Sequence, residues 1–169
     1  MRRQSGFSLL ELMAAVILFG AAATALLNRL WYYQELAEKA RMEYAISAMK
    51  SALRIRMATL LVQGQAQQYR FLADESPVDW LDARPDDYLG VLSNPDIGKL
   101  PLGSWYYDAA THTLVYLVRR GEHFQPDSEG RKRVRLRVIL ESNFLNMPDH
   151  ATDSVKLVLV EPYLWFSTP

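Results

Sequence analysis

The sequence predicts an α+β fold: one long N-terminal helix followed by an antiparallel sheet. Two observations predict it. No proline occurs between Phe7 and Ser76, and Gly20 and Gly64 are the only glycines in that span. Beyond Ser104 the apolar pattern changes from a helical period to a period of two. The chain has 169 residues, half of them hydrophobic, which is enough to bury a real core and argues against disorder.

The helix is expected to have two parts. From Phe7 to Leu27 the chain reads FSLLELMAAVILFGAAATALL. That run is close to the ~20 apolar residues that a helix needs to cross a bilayer. Arg2 and Arg3 precede it, so its N-terminus is expected on the cytoplasmic side. Glu11 breaks the apolar pattern, and a carboxylate inside a bilayer costs a few kcal/mol on insertion scales. Such a group is tolerated where a specific partner compensates it. Beyond the apolar run, Leu30, Ala37, Tyr44, Ala48, Ala52 and Ile55 fall on one helical face, with Lys39, Glu43, Lys50 and Arg54 opposite. The helix is expected to end at about Val62, near Gly64, giving a rod roughly 80 Å long.

Residues 63–103 read as loop, with Pro77, Pro85, Pro95 and Pro101, anchored by Trp80, Leu81, Tyr88, Leu89 and Val91. Four strands follow in the reading: 104–107, 113–119, 132–141 and 155–161. The second is apolar on both faces, which predicts a central position. In the third, Val134, Leu136, Val138 and Leu140 alternate with Arg133, Arg135 and Arg137, so the arginines are expected to face solvent. The alternative to a solvent-facing row is pairing with acidic residues of the 74–87 stretch. Tyr163, Trp165 and Phe166 form an aromatic tail.

Gly6-Phe7-Ser8-Leu9-Leu10-Glu11, behind a short basic leader and ahead of the apolar helix, resembles the type IV prepilin cleavage motif. The resemblance implies a pilin fold, with the long helix packed on an antiparallel sheet of about four strands. It implies cleavage between Gly6 and Phe7 by a prepilin peptidase, N-methylation of Phe7, and an assembly charge pair between Glu11 and the new terminus of a neighbouring subunit. The domains are then a leader at 1–6, a transmembrane and assembly helix at 7–28, its amphipathic continuation at 29–62, and a globular periplasmic domain at 63–169. The implied partners are other pilin or pseudopilin subunits, the prepilin peptidase and the inner membrane. Major pilins often carry a proline near position 28 and a C-terminal disulfide. This chain has Asn28 and no cysteine, which points to a minor pilin or a type II secretion pseudopilin.

No cofactor, metal or small-molecule substrate is expected, and no enzymatic activity. His112, His123 and His150 lack metal-site spacing, and no phosphate loop or nucleophile motif is present. The loop Asp149-His150-Ala151-Thr152-Asp153 offers oxygens but too few carboxylates for calcium. Zero net charge gives no reason to expect nucleic acid, although the basic row at 131–137 is the place where it would bind. Two other readings of the N-terminus remain. A secretory signal peptide would be cut near Leu26, and a plain anchor, holding a periplasmic binding protein or adhesin, would keep Met1.

Overall fold

The computed structural model describes residues 9–141 and 154–166. A single helix, α1, runs from Leu9 to Val62. Five strands follow: β1 (Tyr88–Leu92), β2 (Trp105–Asp108), β3 (Thr113–Leu117), β4 (Arg133–Glu141) and β5 (Ser154–Leu159). They form one sheet in chain order. Every pair from β2 onward is antiparallel, while β1 lies parallel to β2. The chain divides into two compact units, Met1–Ala37 and Glu38–Pro169.

In the larger unit, α1 ends as its sequence predicts. Gly64 takes a left-handed φ of 68°. Its N–H bonds to the Leu61 carbonyl, and the Gln65 N–H bonds to that of Leu60. This paired closure satisfies carbonyls that the helix end would otherwise leave open, and glycine adopts the required φ without a Cβ penalty.

The sheet has one strand more than the four predicted. Tyr88–Leu92 was expected to be anchored loop, but it pairs with β2. It is short, and its register shifts between Tyr88 and Val91, where Gly90 takes φ 95°. A bulged five-residue strand behind Pro85 carries no period-two signature, so sequence pattern does not reveal it. The 93–104 segment returns the chain for the parallel pairing, as such a pair requires a crossover.

Both faces of the sheet are covered. On one, Trp105, Tyr107, Leu114, Tyr116, Val134, Leu136, Val138, Val155 and Leu157 pack with Met42, Ile46, Met49, Leu53 and Leu60 of α1. On the other, Tyr106, Val115 and Leu117 lie under Leu92, Ile97 and Leu100. Every residue of β3 is buried, in keeping with its predicted central position.

The helical stripe that packs is not the predicted one. Tyr44 and Ile55 are exposed, and the buried positions are Met42, Ile46, Met49, Leu53 and Leu60. At 100° per residue this stripe is turned roughly 140° from the expected one. Alanines and a tyrosine defined the expected face, whereas the core took the longer aliphatic and thioether side chains. These bury more apolar surface and adapt to the gap above the sheet. Leu140 is a second correction: it was expected inward but is exposed, because β4 runs past the end of β3 at Arg137.

Glu38 ties the helix to the sheet. It accepts from the Tyr116 hydroxyl (3.0 Å), the Arg119 N–H (2.7 Å) and the Arg120 N–H (2.9 Å). Burial, followed by the nearby Glu38 charge, pushes the Tyr116 phenol well above its ordinary range. Burial and Glu43, which accepts from the Tyr163 hydroxyl at 3.1 Å, push Tyr163 up to about 12. Both phenols therefore remain donors throughout the physiological range.

Candidate functional site

The smaller unit contains the apolar half of α1. Glu11 lies in its first turn. Leu9, Leu10, Leu12, Met13, Val16, Ile17, Leu18, Phe19, Leu26 and Leu27 are all at least half exposed. An 18-residue window here has a mean hydropathy of 2.1, and none of it is buried. A helix with apolar side chains on every side has no stable place in water and is matched to lipid or to other apolar helices. Gly20, the one glycine inside it, does not break the helix, and the Thr24 hydroxyl donates to its carbonyl at 2.9 Å. Gly6 and Phe7, the expected cleavage and methylation residues, lie outside the described residues.

The larger unit holds a cleft of about 1020 Å³, bordered by Ala52, Ile55, Asp74, Trp80, Tyr107 and His112. His112 Nδ1 is 3.6 Å from Asp74 Oδ1 and 3.4 Å from the Tyr107 hydroxyl. His123 stacks on Phe166. The loop with Asp149, His150 and Asp153 lies outside the described residues. Among the described residues, no group of three or more histidine or carboxylate side chains is placed to hold a metal.

The arginine row is arranged differently from the expected solvent face. Arg133 is buried and pairs with Asp127 (2.6 Å) and Glu129 (2.7 Å). Arg135 pairs with Glu129 (3.2 Å) and Glu161 (2.7 Å). These partners come from the 121–130 loop and the end of the chain, not from 74–87. Burial alone would raise the Asp127 carboxyl and lower the Arg133 guanidinium. Burial is the largest single influence on each, but their mutual hydrogen bond and attraction, joined by the Arg131 and Glu129 N–H groups at Asp127 and by the Glu129 carboxylate at Arg133, together outweigh it, so Asp127 sits below its ordinary value and Arg133 above. Arg135 likewise holds Glu161 below the usual carboxylate range. Two of the row's five cations are thus already neutralised, which weakens it as a phosphate-binding face. The local signal for this was Asp127-Ser-Glu-Gly130, a turn whose leading carboxylate accepts from the Glu129 and Arg131 N–H groups.

Residues 1–27 match the family model described as the prokaryotic N-terminal methylation motif. That motif is the signal of type IV pilins and pseudopilins, and the α+β architecture of the chain is pilin-like. The motif and the one exposed apolar helix among the described residues fit a membrane-anchored, single-pass, structural subunit that is processed as a prepilin and assembles with other pilin subunits. No curated protein and no solved structure matches the chain.

Proposed function

We propose that the chain is a minor pilin or pseudopilin, a structural subunit of a type IV pilus or type II secretion pseudopilus. The prepilin peptidase cuts after Gly6 and methylates Phe7. The subunit then waits in the inner membrane with its N-terminus cytoplasmic and its larger unit periplasmic. The observation that carries this reading is the methylation motif joined directly to an apolar helix that nothing buries. Asn28 in place of a proline and the lack of cysteine favour an accessory position over a shaft-forming one.

Mass spectrometry of the purified protein's N-terminus tests the reading. N-methylated Phe7 is expected. A terminus near Leu26, or an intact Met1, would replace this function with a secreted or plainly anchored protein.

Glu11 is proposed to pair with the cationic Phe7 terminus of a neighbouring subunit. Within one chain Glu11 lies four positions beyond Phe7 in the sequence, so a neighbour shifted along the filament axis can bring its terminus beside Glu11. Breaking a buried pair by removing one partner costs about 3–5 kcal/mol, which makes the pair a registry device. Glu11→Ala is therefore expected to leave membrane insertion intact and to reduce incorporation into filaments sharply. Sheared-filament yield against membrane-fraction abundance measures this, and wild-type incorporation would remove the role.

A further inference from the structure

Just beyond the apolar run the smaller unit carries Arg29, Trp31, Tyr32 and Tyr33. All four are exposed. We propose that this cluster is an interfacial anchor that seats in the lipid headgroup layer and sets the depth of the helix. It thereby holds Glu11 at the opposite interface, not inside the hydrocarbon. The proposal rests on the membrane-spanning reading above.

Two features select lipid as the occupant. The first is angular. Trp31, Tyr32 and Tyr33 are consecutive, so they point about 100° apart around the helix, and Arg29 falls between Tyr32 and Tyr33 in that projection. A helix–helix seam uses positions three and four apart on one face. The four amphipathic side chains thus spread over an arc of about 200°, wider than one helix–helix seam, which suits the broad surrounding a bilayer offers. Tryptophan and tyrosine favour that layer because an apolar ring and a polar tip are satisfied together, and arginine can extend its charged head to water.

The second feature is distance. Twenty residues separate Glu11 from Trp31, and no charged residue lies between Glu11 and Arg29. At 1.5 Å per residue the separation is about 30 Å, the thickness of the hydrocarbon core. With the aromatic cluster in one headgroup layer, Glu11 reaches the other. The waiting subunit then keeps its carboxylate hydrated, and Phe7 lies on the peptidase's side of the membrane. Moving Glu11 into apolar surroundings becomes a step of assembly, where its partner is supplied.

The chain has no cysteine, so single-cysteine variants report depth cleanly. Leu12→Cys, Ile17→Cys, Leu27→Cys and Gln34→Cys would be made in the full chain and reconstituted at low density in phospholipid vesicles. A polar maleimide present on both sides then reads exposure. Protection at 12, 17 and 27 with labelling at 34 is expected. Adding Trp31→Leu, Tyr32→Leu and Tyr33→Leu should slide the protected zone by several residues. Labelling at 34 then falls several-fold and labelling at 12 rises. A protected zone whose borders stay fixed overturns the anchor while leaving the membrane reading intact. Fixed borders with lost filament incorporation overturn it in favour of a subunit contact. No protected zone in the parent chain overturns the membrane reading itself.

Discussion

Asp127→Ala is expected to destabilise the larger unit by up to about 3 kcal/mol, the low end of the cost of breaking a buried ion pair, because the half-exposed Glu129 still faces Arg133. The Arg133 side chain is 6% exposed and that of Asp127 2%, so water cannot replace the lost carboxylate. Asp127 also accepts the Glu129 and Arg131 N–H groups, which lose their acceptor in the same variant. Chemical denaturation of the detergent-solubilised protein, followed by tryptophan fluorescence, measures the change. Arg133→Leu combined with Asp127→Leu should recover much of it, because removing both charges abolishes the desolvation cost. A single-variant loss under about 1 kcal/mol would mean that the pair is hydrated and behaves as a surface bridge.

The same pair sets an acid limit. The folded pKa of Asp127 lies below its unfolded value of 3.8. Its contribution is therefore complete above the unfolded value and declines as pH falls through the folded one. Asp127→Asn should flatten that acid-side decline.

Trp165→Ala is the other large effect, expected to cost about 3–5 kcal/mol as a buried aromatic truncation. Trp165 is 4% exposed and meets Phe124 edge-on, with ring centroids 5.2 Å apart. Around this contact the Gln125 N–H donates to the Leu164 carbonyl, and the Phe166 N–H donates to that of His123. Lys39 of the helix donates to the Trp165 carbonyl at 3.2 Å. The chain end is thus latched to the 121–130 loop and to the helix without any covalent bond. Limited proteolysis should release the C-terminal residues of the variant well before global unfolding, while Trp165→Phe should keep most of the protection. Equal cleavage of variant and parent would show that the tail is held elsewhere.

Legibility in the sequence followed the range of the interactions. The end of α1 at Gly64 and the central position of β3 rest on nearby residues, and both were readable. The packing face of α1 was not, because Met42, Met49 and Leu53 were chosen by the shape of the sheet opposite them. β1 was missed because its pairing partner lies across a crossover and its own pattern is broken by Gly90. The basic row shows the same limit. Alternation correctly put Arg133 and Arg135 on the face away from Val134 and Leu136, yet that face is covered, and their acidic partners come from a loop and from the chain end.

The N-terminal signal belongs wholly to the sequence. Arg2, Arg3, Gly6, Phe7, Glu11 and the apolar run lie in one short stretch of sequence, so the methylation motif is recognised there without any tertiary partner. The sequence also determined that a long helix would meet a mostly antiparallel sheet, since both periodicities are local. The tertiary structure alone decided which helical stripe is buried, that five strands pair where four were expected, and that Asp127 and Glu161 neutralise the arginines. Those outcomes depend on which distant surfaces meet, and burial turns an exposed charge into one that must be paired.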